Sequence, residues 1–257
     1  MTTRVAITGV TGRMGTALVR AVRSDPRFTF AGGTERKGHD AIGTANTVDD
    51  LGTLLSSADV VIDFTSPEAS LAHAKACADA KVALVIGSTG FTAEQKSALA
   101  APAARIPIVF SPNMSVGVNL MIEVAAELAK RLGEGFEIDI LEAHHRLKKD
   151  SPSGTALRLG EEIARATGRT PADFTQSRVG QVGERPRSEI GIQALRGGDV
   201  IGEHTVYFFG DGERLELTHR ASSRDQFARG AVRAAHWAAH QPPGLYGMSD
   251  VLRGEKK

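Results

Sequence analysis

The apolar positions in the first half of the chain fall into short β-branched runs separated by longer alanine-rich stretches of helical period. That alternation is the pattern of βαβ units around a parallel sheet. It predicts strands over 5–8, 28–32, 59–64, 82–86 and 106–110, and helices over 14–23, 67–80 and 93–101. Runs such as Val82-Ala-Leu-Val-Ile86 lack any polar alternation, so both of their faces have to be covered by helices. The second helix opens on Ser66-Pro67-Glu68, which supplies a capping hydroxyl, a proline at the first helical position and an acid where the helix dipole favours one.

After Ser111-Pro-Asn-Met114 a helix over 118–131 leads out and the pattern changes. Segments 136–143, 188–195, 204–209 and 214–219 read as strands of a second, mixed sheet, with Gly197-Gly198-Asp199 and Gly210-Asp211-Gly212 as turns. Segment 226–240 is helical again, with Trp237 on its inner face, and the last apolar stretch returns to the first domain. Segment 169–187 is polar and aperiodic, a long loop of the kind that borders sites. The predicted fold class is α/β: a Rossmann-type doubly wound parallel sheet plus a second α+β domain with a mixed sheet. The expected boundaries are 1–113 with 222–257 for the first domain and 114–221 for the second.

Composition narrows the function classes. Lys and Arg number 31 against 30 Asp and Glu, a net charge of +1, and aromatics are 5% of 257 residues. Neither nucleic acid nor an anionic membrane is therefore an expected partner, and any attraction for anions is local. The lone Cys77 excludes an internal disulfide, a four-cysteine zinc site and a C-x-x-C redox pair. It lies in a helix-favouring alanine-rich stretch and reads as a buried, inert thiol. Met1-Thr-Thr-Arg4 passes straight into a strand with no signal-like segment, and no run reaches membrane-spanning length, which predicts a cytoplasmic protein.

Gly9-Val10-Thr11-Gly12-Arg13-Met14-Gly15 follows a strand and opens a helix. Glycines so spaced allow a tight turn and a close approach to a pyrophosphate, whose charge meets the helix's unpaired amides. Glu35 ends the second strand, twenty residues after Gly15, where a carboxylate accepts from a ribose diol, and Arg36 beside it suits a 2′-phosphate. Both NADH and NADPH are thus expected cofactors. Gly87-Ser88-Thr89 and Ser111-Pro112-Asn113-Met114 also follow buried-looking strands; each reads either as plain turn chemistry or as a cofactor contact, and their shared position favours the second.

The densest chemistry lies in Glu142-Ala-His-His-Arg-Leu-Lys-Lys-Asp150. His144, His145, Arg146, Lys148 and Lys149 form an anion-seeking cluster, and a helix begins just beyond it with Ser153 as cap and Gly154 leaving room at its amides. The cluster suits a small dicarboxylate, with a histidine and a lysine as proton donors. The plain alternative is a solvated basic loop before an ordinary helix start. Without acidic companions at ligand spacing, His-His makes a poor zinc site, and no metal is expected.

Glu142-Ala-His-His-Arg-x-Lys-x-Asp-x-Pro-Ser-Gly-Thr-Ala-Leu157 resembles the signature of the dihydrodipicolinate (4-hydroxy-tetrahydrodipicolinate) reductase family. The Gly9–Gly15 turn, Glu35-Arg36, Ile62-Asp-Phe-Thr-Ser-Pro67, Gly87-Ser-Thr-Gly-Phe91, Ser111-Pro-Asn-Met-Ser115, Gly202-Glu-His-Thr205 and His219-Arg-Ala-Ser-Ser-Arg224 follow in the family's order. The resemblance implies an NADH- or NADPH-dependent reductase of lysine and diaminopimelate biosynthesis, a homotetramer joined through the second domain, which also binds substrate. It implies His144 as proton donor or acceptor, Lys148 as general acid, and His145, Gly154 and Thr155 as substrate-carboxylate contacts. Leu147 stands where some members carry another histidine, and Met114 where some carry phenylalanine. The rival readings are a reductase of another small oxo- or imino-acid and a nucleotide-sensing protein without catalysis.

Overall fold

The computed structural model describes residues 2–254. The chain divides into two compact units, one running to Val116 and resuming at Asp225, the other spanning Gly117–Arg224. The first unit begins with β1 (Thr3–Thr8), α1 (Arg13–Arg23), β2 (Phe28–Thr34), β3 (Thr47–Val48) and α2 (Gly52–Leu55). It continues with β4 (Val60–Asp63), α3 (Pro67–Ala80), β5 (Ala83–Ile86), α4 (Ala93–Ala98), α5 (Ala100–Ala103) and β6 (Pro107–Phe110). Then come α6 (Val116–Leu132), β7 (Glu137–His144), α7 (Gly154–Thr167), β8 (Phe174–Thr175), β9 (Ile190–Arg196), β10 (Glu203–Gly210) and β11 (Glu213–Arg220). The chain returns to the first unit with α8 (Asp225–Ala238), β12 (Gly244–Tyr246) and α9 (Met248–Arg253).

The first unit's strands are all parallel, in the order β3-β2-β1-β4-β5-β6-β12. The order reverses between β1 and β4, which opens a crevice at the carboxyl ends of those two strands. Side-chain alternation explains why both faces are covered. Val5, Ile7, Val60, Ile62 and Val85 pack with Leu18 and Val22 of α1 and Ala231 and Ala235 of α8. Ala6, Val61, Leu84, Ile86 and Ile108 point the other way, onto Ala74 and Cys77 of α3 and onto Leu99. Cys77 is fully buried, and burial, with the nearby Asp63 adding to it, pushes its thiol up to about 12. The start of α3 follows its sequence: Ser66 Oγ accepts from the Ala69 amide, Pro67 is in the first turn and Glu68 follows.

The second unit's sheet is mixed, in the order β11-β10-β7-β9-β8, with β7, β10 and β11 antiparallel and β7, β9 and β8 parallel. Ile138, Ile140, Ile192, Val206 and Phe208 face Met121 and Ala125 of α6 and Leu159 and Ile163 of α7. Strand β8 lies inside the segment read as loop; two residues on a sheet edge leave no periodic trace. The helix expected over 93–101 is two short ones that meet at Leu99, a fully buried residue, with Pro102 in the second. The final stretch joins the first sheet through β12, and Trp237 of α8 packs edge-on against Tyr246 of that strand.

Candidate active site

The carboxyl end of the first sheet carries the glycine turn. Gly9 has φ +62°, and the Gly12 amide donates to the Gly9 carbonyl at 3.1 Å. A Cβ at Gly15 would overlap the carbonyl oxygens of Gly9 and Val10, so this close crossing of turn and helix requires glycine. No side chain caps α1, which leaves its first-turn amides open to an anion. Glu35 Oε1 accepts from the Thr11 amide at 2.8 Å and the Thr11 hydroxyl at 2.6 Å. Burial raises this carboxyl, but the Thr11 hydroxyl and amide more than offset it and hold it below the ordinary range. Arg13 and Arg36 are exposed, and His39, which the sequence reading passed over, brings Nε2 to 3.5 Å from the Thr11 hydroxyl.

The other two loops end β5 and β6 of the same sheet. The Gly87 amide donates to the Asp63 carbonyl at 2.8 Å, and the buried Ser88 hydroxyl pairs with that of Ser70 at 2.9 Å, while Thr89 is exposed. Ser111 Oγ donates to the Asn113 carbonyl at 2.7 Å and Asn113 Oδ1 accepts from the Ser115 amide at 2.9 Å, a tight turn in which Pro112 is exposed. Val10 and Met114 turn their side chains into the core, and Met14 packs partly against it, so Val10 and Met114 offer a ligand only backbone. These features fit a nicotinamide dinucleotide: a glycine cradle, open helix amides and a fixed carboxylate at the second strand's end.

In the second unit, β7 delivers Glu142 and His144 to the same face, since alternate residues of a strand point the same way. The Glu142 side chain is 0% exposed. Its Oε2 accepts from His144 Nδ1 at 2.6 Å and from Arg196 Nη1 at 2.8 Å, and its Oε1 accepts from Arg196 Nη2 at 2.8 Å and the Ser153 amide at 2.9 Å. Burial raises the carboxyl, but these donors, His144 foremost, bring it down to about 2. Arg196 is available because β9 runs beside β7 with Arg196 opposite His144. His204, opposite Glu142 on β10, is also buried, accepts or donates with Ser153 Oγ at 3.2 Å and lies edge-on to His144, with ring centroids 5.3 Å apart. Burial first, then the neighbouring His144, push His204 down to about 4. A Cβ at Gly202 would stand 3.0 Å from His144 Nε2, so that glycine leaves room for the ring.

Beyond β7 the loop is pinned by the Arg146 amide, which donates to the Gly198 carbonyl at 3.3 Å. Lys148 Nζ pairs with Asp150 Oδ2 at 2.8 Å, and His145 is half-buried, with no partner for its buried Nδ1 among the described residues. Ser153 caps α7 through the Ala156 amide at 3.2 Å, while Gly154 is exposed and a Cβ there would meet no atom within 4 Å. Thr155 follows in the same first turn. Glu142 and His204 thus meet Ser153 at the start of α7, while Lys148 pairs within its own loop and Arg146 with the turn at Gly198. Arg196 had no sequence signal beyond an inward-facing polar position on a strand, while His204, inside the Gly202-Glu-His-Thr205 segment, and Glu142 stood in matched motifs without a role.

Comparison with known proteins extends this reading over the whole chain. The family model described as dihydrodipicolinate reductase, N-terminus, matches residues 3–114, and the one described as dihydrodipicolinate reductase, C-terminus, matches 117–252. The 4-hydroxy-tetrahydrodipicolinate reductase of Myxococcus xanthus is 57% identical, with 97% of both chains covered. That of Anaeromyxobacter dehalogenans is 56% identical over 99% of this chain and 100% of its own. A dipicolinate-bound dihydrodipicolinate reductase from Paenisporosarcina sp. TG-14 superposes with a TM-score of 0.81 at 26% identity, covering 98% of this chain and 100% of that one. A diaminopimelate dehydrogenase of C. glutamicum, at 14% identity and a TM-score of 0.60 over 100% and 97% of the two chains, shares the fold. With both halves matched and more than half of all positions identical to named reductases, the chain belongs to the dihydrodipicolinate reductase family.

Proposed function

We infer that this chain is an NAD(P)H-dependent oxidoreductase that reduces 4-hydroxy-tetrahydrodipicolinate, by way of dihydrodipicolinate, to tetrahydrodipicolinate in lysine and diaminopimelate biosynthesis. The observation that carries the reading is the Glu142–His144 pair on the strand that leads into the Lys148 loop and the start of α7, on a unit separate from the dinucleotide turn. The substrate is a cyclic conjugated imine with two carboxylates. The first unit binds the nucleotide and the second binds the substrate.

A reduced nicotinamide held by the first unit would supply a hydride to C4 of the substrate ring. The remaining work falls to side chains. His144 gives its Nδ1 hydrogen to Glu142, which fixes the tautomer and leaves Nε2 as the proton-exchanging atom. Lys148, held in place by Asp150, is the general acid that protonates the enamine left after reduction. His145 and the Gly154 and Thr155 amides hold the carboxylates, aided by the positive end of α7. In the first unit, backbone of Gly9–Met14 holds the pyrophosphate, Glu35 takes the adenosine ribose, Arg36 meets a 2′-phosphate, and Gly87–Thr89 with 111–114 line the nicotinamide end. Loss of the 4-hydroxyl as water precedes reduction.

The outer face of the second sheet carries Leu141, Leu195, Tyr207 and Phe209, the last two stacked at 5.6 Å, an apolar patch that supports a homotetramer joined there. No described helix is long and apolar enough to cross a membrane, and a consumer of reduced nicotinamide nucleotide fits the cytoplasm, the compartment proposed. The decisive assay generates the substrate enzymatically from pyruvate and aspartate semialdehyde, adds the protein, and follows nicotinamide absorbance with NADH and with NADPH. Substrate-dependent oxidation is expected with both. Nucleotide binding without oxidation would instead support the nucleotide sensor, and turnover only of other oxo- or imino-acids the broader reductase.

A further inference from the structure

The Ile62–Pro67 segment matches the family yet has no part in the chemistry above. It occupies the crevice where the strand order reverses: Asp63, the last residue of β4, pairs in register with Thr8 of β1 on one side and Ile86 of β5 on the other. Asp63 is 0% exposed, an expensive place for a carboxylate unless its oxygens are matched. Oδ1 accepts from the Thr65 amide at 2.8 Å and the Thr65 hydroxyl at 2.6 Å, and Oδ2 accepts from Nδ1 of His73, on α3, at 2.9 Å. Burial raises the Asp63 carboxyl, and His73 and Thr65 more than offset it.

The turn so anchored touches both glycine loops. Thr65 Cγ2 lies 3.2 Å from where a Cβ on Gly9 would stand, and the Phe64 ring fills the space a Cβ on Gly87 would need. Ser66 caps α3, and Ser70 one turn on ties that helix to Ser88. A shift of residues 64–66 would therefore displace the walls on both sides of the crevice.

We propose that His73 is a positioning residue of the nucleotide site: through Asp63 it locks the Phe64-Thr65-Ser66 turn between the Gly9 and Gly87 loops. This rests on the reading that those loops hold the nucleotide. His73 itself touches no reacting atom; removing it leaves a buried carboxylate with Thr65 alone, and the turn relaxes to hydrate it.

The test is fluorescence titration of NADH and NADPH into the full chain, with binding of pyridine-2,6-dicarboxylate measured in parallel. Losing a hydrogen bond to a charged group makes a weakening of roughly tenfold the expected effect of His73→Ala, equal for both nucleotides. Dicarboxylate affinity should hold, and turnover at saturating nucleotide should stay within about twofold. His73→Asn, whose amide nitrogen can replace Nδ1, should restore most of the affinity. Glu35→Ala is the reference variant: if it weakens NADH binding while His73→Ala does not, the proposal is overturned. If neither weakens it, the assignment of the nucleotide site is what fails. His73→Asn as weak as His73→Ala also overturns it. Should His73→Ala not fold, Thr65→Val, which keeps the Asp63–His73 pair, must weaken both nucleotides; unchanged affinity there overturns the proposal.

Discussion

His144 Nδ1 lies 2.6 Å from Glu142 Oε2, a bond between neighbours on one face of one strand. A carboxylate there both orients the ring and balances the charge the ring gains when it takes a proton. Glu142→Gln preserves the shape and removes the charge, and it also leaves Arg196 without its bidentate partner. The expected outcome is a fall in kcat/KM of roughly a hundredfold, within the range for a lost acid–base partner. Steady-state kinetics below the variant's own unfolding midpoint, with NADH affinity unchanged, would support it; undiminished turnover would contradict it.

Lys148 belongs to the second unit and the dinucleotide turn to the first. Lys148→Ala should therefore lower turnover by roughly a hundredfold or more while NADH titrates as in the parent protein. Equal losses of turnover and of nucleotide affinity would refute the general-acid role.

Acid should weaken the second unit in two steps. His204 is held at about 4 against 6.5 for an ordinary imidazole, so the unfolded chain binds a proton that the folded chain refuses. The stability this gives is whole above about 6.5 and drains away as the pH falls toward about 4, on the order of 3 kcal/mol in all. Glu142, at about 2 against 4.5, adds a second loss between those values, again growing as the pH falls. Urea midpoints at about pH 7.5 and about pH 4.5 check the first step: His204→Gln should lose less stability between them than the parent, and equal losses would exclude His204 as the source.

Gly154 and Gly15 make a contrasting pair. A methyl at Gly154 meets nothing within 4 Å, whereas one at Gly15 would overlap backbone carbonyls. Gly154→Ala should leave the thermal midpoint nearly unchanged but weaken pyridine-2,6-dicarboxylate binding by roughly tenfold, since the methyl enters the space proposed for the substrate carboxylates. Gly15→Ala should lower the midpoint itself. Calorimetry with a binding titration separates the two, and unaltered dicarboxylate affinity in Gly154→Ala would remove that residue from the site.

Features that depend on a residue and its near neighbours were readable in the sequence. Ser66-Pro67 and Ser153 cap the helices they were expected to cap, and the unbroken apolar runs of β4 and β5 lie between two helical layers. The Gly9–Gly15 turn and Glu35 likewise meet where the spacing put them, through Thr11. Arg196 escaped notice because its partner Glu142 is 54 residues away and is brought to it only by the parallel register of β7 and β9. His204 reaches Glu142 through an antiparallel register that crosses the same sheet. The pairs α2 with β3 and α4 with α5 were missed or merged because pieces of two to six residues are too short to show a period.

Cys77 leaves the chain with a practical property. The only thiol in 257 residues lies on the buried face of α3, against the sheet, in its protonated form, so thiol-reactive dyes and oxidants find no target while the first unit stays closed. Each molecule that opens that unit exposes one sulfur. The rate of labelling thus counts openings of the first unit in the unaltered sequence, and a nucleotide bound there as proposed should slow the labelling in proportion to its occupancy.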